Sequence, residues 1–306
     1  MNTQSKVPKN IFETVEFARC FPDSALQAVN CNLCGSSEAT MLFTEGVFGV
    51  RKCASCGLVF VSPQPTPEAL DAYYAQFYPA TSEHAVSSWS HQASFRQTRR
   101  ILRRYYPHGG RLLDVGCGLG IFLQTLGPEW NLTGVEPDRN ACERARRAVP
   151  SAEIIHGSVL SLEPSDERFD VVTLLASLEH MPDPSSALRR IWNVLEPEGL
   201  IVVRVPYTEW FFRMKRAIPA LPVHFGAPRH LYDFSPRTLR LMLERNGYRL
   251  QRLYVGSHEH VTQPAVAGAV VAAKALSKLA YYLTGRNWFA PFCGALVAVA
   301  RPTSFE

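Results

Sequence analysis

From residue 111 onward the chain alternates between short apolar runs and longer amphipathic stretches, and that alternation admits few folds. RLLDV, NLTGVEP, AEIIHG, FDVVTLLA and LIVVRVP have strand length, and helical patterns near 119–126, 138–148, 184–195 and 235–246 separate them. Strands alternating with helices imply an α/β, doubly wound, mostly parallel sheet covered on both faces. A late pair, GYRLQRLYVG and ALVAVARP, is expected to close one edge and bring the sheet to seven strands. Ligands of such sheets bind at the carboxyl ends of the central strands.

The loop after the first of these strands narrows the choice of ligand. LLDVGCGLGIF sets Gly116, Gly118 and Gly120 between strand and helix. A dinucleotide site wants G-x-G-x-x-G, and Ile121 stands where the third glycine belongs. Asp114, two residues before the loop, repels a pyrophosphate but suits a ligand carrying an ammonium and a sulfonium. Glu136 ends the second strand in GVEPD, where a carboxylate accepts hydrogen bonds from both ribose hydroxyls. Both features fit S-adenosylmethionine, the alternative being that the glycines form an ordinary tight turn.

A second feature lies upstream. Four of the eight cysteines fall as CNLC and CASC, with eighteen residues between Cys34 and Cys53. This is zinc-ribbon spacing: each C-x-x-C turn directs two thiolates at one point, and Cys31, Cys34, Cys53 and Cys56 complete a tetrahedron. Gly35 and Gly57 follow the knuckles where backbone freedom is needed. Two disulfides or a redox pair are the alternative; a cytosolic setting favours structural zinc. Four thiolates leave no open position for catalysis. Cys20, Cys117, Cys142 and Cys293 lack such spacing and are expected as small buried hydrophobes.

The chain of 306 residues, 46% of them hydrophobic, is long enough for one large domain and a small one. Its divisions are expected as an extension over 1–30, the ribbon over 31–62, a linker and cap helix over 63–94, and the α/β domain over 95–306. Acceptor-pocket insertions are expected near 207–230 and 262–292. No apolar run reaches the roughly 18 residues of a spanning helix, and charges scattered through the first thirty residues leave no secretory h-region. A cytoplasmic protein is expected. A net charge of +5 is too slight for a dedicated nucleic-acid binder.

Between ribbon and sheet, Pro63, Pro65 and Pro67 mark a turn, and Tyr73, Tyr74, Phe77 and Tyr78 follow on a helical stripe. Those rings are expected to pack on the next domain, with a lid role as the alternative. Residues 81–94 read as a polar loop. SFRQTRRILRRYY then forms a helix with Phe95, Leu102 and Tyr106 on one side and Arg96, Arg99, Arg100, Arg103 and Arg104 around the other, a solvated face or a phosphate contact.

On LLDVGCGLG, GVEPD, FDVVTLLASLEHMPDP, LEPEGLIVVRVP and HLYDFSPRTLRLMLERNGY, residues 111 to about 256 resemble the class I S-adenosylmethionine-dependent methyltransferases. The similarity is to the branch containing ubiquinone-biosynthesis, sugar and natural-product enzymes. The ribbon, CNLCG with CASCGLVFVSPQPTPEAL, is similar to that of a subset associated with glycan or secondary-metabolite pathways. The resemblance implies a Rossmann-like sheet. It further implies that Gly116, Cys117, Gly118 and Gly120 approach the methionine part of the donor and Asp114 orients them. Glu136 takes the ribose, Pro137 and Ser158 flank the adenine, and Ser177 to His180 line the reaction centre. Ser158 stands where the family often has an acidic residue; its hydroxyl or the Val159 amide can substitute.

Methyl transfer is an in-line displacement, so alignment of the reactants dominates the rate. An unactivated hydroxyl still needs its proton removed. His180 in SLEHMPDP is the first candidate, at the carboxyl end of a central strand, though it can instead brace the loop. His230 and Tyr232 in RHLYDF come second and His224 third. EWFFRMKRAIPALPVHFG, with Trp210, Phe211, Phe212 and Met214 beside Arg213, Lys215 and Arg216, and PAVAGAVVAAKALSKLAYYLTGRNWFAPF, with Lys274 and Lys278, are expected to pack as core or to form an apolar cover or peripheral membrane contact.

The leading expectation is therefore a methyltransferase for a small-molecule acceptor: an O-methylation of a sugar, quinone or polyketide-like substrate, lipid-linked ones included. An RNA methyltransferase needs a basic ribbon, yet residues 31 to 57 carry only Arg51 and Lys52 as cations. A binding protein with a vestigial donor site is disfavoured by the intact glycines, Asp114 and Glu136. Acceptor and oligomeric state are not legible.

Overall fold

A computed structural model describes residues 21–74, 89–162, 168–208, 211–212, 218, 224–256, 276, 279, 283 and 294–303, the side chains of 89–91 excepted. The expectations for Cys20, Cys293, Phe77, Tyr78, Trp210, Arg213–Arg216, Lys274 and Lys278 lie outside these residues.

The amino-terminal part is built from β1 (Leu26–Gln27), β2 (Ala39–Glu45), β3 (Phe48–Cys53), β4 (Val59–Val61) and β5 (Gln64–Pro65). β2, β3 and β4 form an antiparallel meander, while β1 pairs with β5. Residues 67–74 are helical, and Tyr73 packs against Phe21 with ring centroids 6.3 Å apart.

The remainder follows the alternation. α1 (Trp89–Tyr105) leads into β6 (Gly110–Val115), β7 (Trp130–Glu136), α2 (Arg139–Ala148), β8 (Glu153–His156), β9 (Phe169–Leu175), α3 (Pro184–Val194) and β10 (Leu195–Pro206). β11 (Tyr232–Asp233), α4 (Pro236–Arg245), β12 (Tyr248–Gly256) and β13 (Ala295–Pro302) complete it. The large sheet has seven strands in the order β12-β13-β10-β9-β6-β7-β8. Only β13 runs antiparallel to its neighbours. This is the expected Rossmann-like sheet with the expected closing pair.

Local chemistry explains the helix boundaries. Asp138 caps α2 by accepting the Ala141 N–H at 2.6 Å. Asp183 caps α3 with Pro184 in its first turn, and Ser235 forms a capping box with Thr238 at the start of α4. The helix expected near 119–126 is reduced to one 3-10 turn, Leu123–Thr125. Gly127 and Pro128 follow Leu126 and leave too few residues to propagate an α-helix. α1 in turn begins before the expected boundary, at Trp89.

The cysteine-bearing segment and the α/β part share a core. Leu33, Leu58 and Phe60 of the cysteine-bearing segment are buried in one cluster with Leu178, Leu188, Phe234 and Leu239 of the α/β part. β11 extends the meander as its fourth strand, with Tyr232 opposite Phe60. Phe212, from the first insertion, packs on the other face with Phe48, Val50 and Phe225. Each large apolar side chain so buried contributes about 1.5–3 kcal/mol. Polar ties add direction: Asn32 Nδ2 donates to Asp183 Oδ1 at 2.9 Å, and Arg245 Nη1 donates to the Leu33 carbonyl at 2.7 Å.

Candidate active site and candidate metal centre

At the carboxyl end of β6 the chain turns sharply. Gly116 N–H and Cys117 N–H both donate to the Val135 carbonyl, and Gly116 takes φ +75°, open to glycine without strain. A Cβ built on Gly116 meets the Ser177 Cβ at 2.8 Å, so the loop and the turn after β9 touch there. The loop is fastened to β7 by Glu136, whose Oε2 accepts Gly118 N–H at 2.9 Å and whose Oε1 accepts Asp138 N–H at 3.0 Å. Asp114 is buried and its Oδ1 accepts Thr173 Oγ1 at 2.6 Å. Burial pushes both carboxyls up to about 7, against the lowering effect of these hydrogen bonds.

Three further features bear on a donor. Ala176 adopts φ 60°, a left-handed conformation that costs a non-glycine residue energy, and so turns Ser177 toward Gly116. Ser177 Oγ is buried and meets no hydrogen-bond partner among the described residues. Ser158 Oγ accepts the Leu160 N–H at 3.2 Å, and Val159 is buried beside it. Sidedness is thus set: backbone amides, two carboxylates and one unsatisfied hydroxyl surround the glycine loop. An ammonium- and ribose-bearing ligand fits this set.

The turn Leu178–His180 follows β9 and carries the expected reaction-centre residues. Glu179 is fully buried, and its carbonyl accepts Leu231 N–H at 2.9 Å. His180 Nδ1 lies 2.6 Å from the Arg229 carbonyl, and its Nε2 is 3.8 Å from Glu179 Oε1. His230 Nδ1 lies 3.0 Å from the Phe225 carbonyl. A ring nitrogen bonded to a carbonyl carries the proton, so the lone pair of each imidazole is on Nε2. The two rings are 4.9 Å apart.

Of the expected bases, His180 and His230 are therefore brought together. Tyr232 is not placed with them in the same way: its buried hydroxyl donates to the Pro182 carbonyl at 2.7 Å and accepts from Gln64 Nε2 at 3.3 Å. Burial raises that phenol above its ordinary range, and the side chain acts as a tie between β5 and the turn after His180. His224 lies beside Glu45, with Nδ1 3.7 Å from Oε1.

The four cysteines meet as expected. Cys31 and Cys56 Sγ are 3.5 Å apart, Cys34 and Cys53 Sγ 3.4 Å, and the four sulfurs lie within 4.8 Å of one another. These separations exceed a disulfide bond and suit thiolates about 3.8 Å apart around a zinc with bonds of about 2.3 Å. Gly35 N–H and Gly57 N–H each donate back to the first cysteine carbonyl of their knuckle.

Sequence reasoning missed Thr173, a lone hydroxyl inside an apolar strand, and Glu45. It included Glu179 only as part of a segment.

A methyltransferase-domain family model matches residues 89–253, more than half of the 306. A demethylmenaquinone methyltransferase of Listeria welshimeri is 32% identical over 113 residues, 34% of this chain and 47% of that one. A ubiquinone biosynthesis O-methyltransferase of Alkalilimnicola ehrlichii is 36% identical over 100 residues, 31% of this chain and 40% of its own length. The chain thus spans about half or less of these curated relatives. In fold it is similar to the crystal structure of the [4+2]-cyclase SpnF, with a TM-score of 0.54 at 21% identity over 79% of this chain and 98% of that one. It is also similar to a Burkholderia thailandensis 1,6-didemethyltoxoflavin-N1-methyltransferase solved with bound 1,6-didemethyltoxoflavin and S-adenosylhomocysteine, with a TM-score of 0.53 at 17% identity over 88% of this chain and 100% of that one. With that match over the glycine loop, both carboxylate-bearing strands and the turn holding His180, this chain belongs to the methyltransferase-domain family.

Proposed function

We propose that this protein transfers a methyl group from S-adenosylmethionine to a hydroxyl of a small-molecule acceptor, with a structural zinc held by Cys31, Cys34, Cys53 and Cys56. The observation that carries the reading is the pair of buried carboxylates, Asp114 and Glu136, flanking a glycine loop that also faces the unsatisfied Ser177 hydroxyl. Bound there, S-adenosylmethionine supplies an electrophilic methyl on a sulfonium. Asp114 neutralises the positive charge of the methionine part through β6, while Glu136 has lone pairs left for ribose hydroxyls after accepting Gly118 and Asp138 N–H. Ser177 Oγ donates to the methionine end, and Val159 packs on the adenine.

The chain's largest contribution is alignment, which can supply about 7–11 kcal/mol, more than a base gives. His180 Nε2 takes the acceptor proton, and the imidazolium so formed is stabilised by the Glu179 carboxylate 3.8 Å away. The acceptor class is a sugar, quinone or polyketide-like hydroxyl; the quinone-related names of the curated relatives support the quinone option. An apolar or lipid-linked acceptor is supported by Leu276, Leu279 and Leu283, helical and 64%, 55% and 77% exposed. Among the described residues, no helix is long and apolar enough to cross a membrane.

Calorimetry with S-adenosylmethionine, followed by methyl transfer from labelled donor to panels of quinols, glycosides and lipid-linked sugars, tests the reading. Micromolar donor binding with label in one acceptor class is expected. Absence of donor binding overturns it.

A further inference from the structure

We infer that Glu179, His180 and His230 form a second metal site, distinct from the four cysteines, for a divalent first-row transition ion. One ligand atom from each of the three residues lies within 4.8 Å of the other two. Two imidazoles and a carboxylate are a donor set suited to such ions and leave coordination positions open.

The outer contacts give the argument its force. Metal-bound histidines are generally oriented by a hydrogen bond from the far ring nitrogen to a carbonyl or carboxylate, which fixes the tautomer. Both histidines have that bond: His180 Nδ1 to the Arg229 carbonyl at 2.6 Å and His230 Nδ1 to the Phe225 carbonyl at 3.0 Å. Each ring therefore turns the lone pair of Nε2 to the side remote from its carbonyl, and His180 Nε2 already lies 3.8 Å from Glu179 Oε1. With metal–ligand bonds of about 2.1 Å, neighbouring ligand atoms in an octahedral site are about 3 Å apart. Movement of the two partly exposed imidazoles by a combined total of up to about 2 Å closes the difference from the present separations. The Glu179 side chain is fully buried.

The carbonyl that orients His230 belongs to a segment that is itself held, since the Glu45 carboxylate accepts the N–H groups of Phe225, Gly226 and Ala227. Glu179 and His180 follow Ser177 by two and three residues, and Ser177 itself touches the glycine loop at Gly116. An ion there takes an acceptor oxygen in an open position and lowers its hydroxyl pKa, and the proton passes to solvent water. His180 Nε2 is then a ligand rather than the base. That role rests on the methyltransferase reading; the binding of metal does not.

The test is an optical titration of the intact zinc-loaded protein with Co2+. Tight binding of one equivalent is expected, with the weak visible bands of nitrogen and oxygen ligands, no intense thiolate charge-transfer band and no release of zinc. His230→Gln and Glu179→Gln should each weaken it by at least about tenfold. Donor calorimetry on the same sample reports separately on the methyltransferase reading. No such bands up to millimolar Co2+, or bands unchanged in His230→Gln, overturn the site and leave His180 as the base.

Discussion

Glu45, at the end of β2, accepts the backbone N–H of Gly226 at 3.0 Å, joining the cysteine-bearing sheet to the segment that presents His230. The same carboxylate takes Phe225 N–H and Ala227 N–H, so one side chain satisfies three consecutive donors. The cysteine-bearing sheet thus fixes the backbone that holds His230.

Replacing Glu45 with Ala strands those three amides, at a cost on the order of 3 kcal/mol. We expect a lower melting temperature, at least about a tenfold loss of turnover, and an unchanged donor Kd, because the glycine loop is elsewhere. Glu45→Gln, keeping one acceptor oxygen, should recover part of the loss. Donor calorimetry beside steady-state rates checks the split; a weakened donor Kd would contradict it.

Glu136→Gln removes the charge but not the shape. The remaining amide oxygen can hold Gly118 N–H or Asp138 N–H, not both with ribose hydroxyls. S-adenosylmethionine affinity should fall by about tenfold or more, the worth of a charge-assisted bond. Circular dichroism distinguishes this from unfolding.

Asp114 and Glu136 also predict a pH dependence. Burial raises both from ordinary values of 3.8 and 4.5 to about 7. The folded protein without ligand therefore holds these protons more tightly than the unfolded chain. Their contribution to stability is fully present below about pH 4 and is lost as pH rises through about 7. The donor needs both carboxylates ionised, so its affinity should fall as pH drops below 7, approaching a hundredfold per unit when both protonate. Calorimetry in buffers of different ionisation enthalpy should detect protons released on binding at pH 6.

Much of this was legible in sequence because it is local. Strand length, the G-x-G-x-G loop, Asp114, Glu136 and the two knuckles are contiguous patterns, and each formed where the pattern put it. The pairing of Glu45 with Phe225 joins residues 180 apart through one carboxylate and has no local signature. The same holds for Tyr232, which stands in a polar, catalytic-looking motif yet ties Gln64 to Pro182. The missing helix after Gly120 failed differently: its apolar period was present, but Gly127 and Pro128 ended it before a second turn.

The shared core couples metal loss to the α/β part. Cys31, Cys53 and Cys56 lie in one cluster with Leu178, Leu239 and Tyr232. A zinc held by four thiolates contributes on the order of 10 kcal/mol to local folding. Cys53→Ser or a chelator should therefore release zinc and lower the melting temperature of the whole protein, and hydrogen exchange should rise in residues 231–234 as well as 31–61. Protection unchanged over 231–234 would show that the two parts are energetically separate.

His180 is the most direct test of the acceptor chemistry. Its Nδ1 is fixed by the Arg229 carbonyl, and its Nε2 lies 3.8 Å from Glu179 Oε1. His180→Gln keeps a polar side chain for the carbonyl but supplies neither a comparable base nor, with the second ion bound, a comparable ligand, so turnover should fall by at least about a hundredfold while the donor Kd barely moves. The pH profile of kcat/KM alone cannot assign this, because Asp114 and Glu136 also impose an acid limb near 7. At saturating donor those carboxylates are held ionised, so the acid limb that remains in single-turnover transfer reports the group at the acceptor. That limb should vanish in His180→Gln and survive in Glu136→Gln. If both variants keep it, proton removal belongs to another group or to an acceptor already ionised at neutral pH.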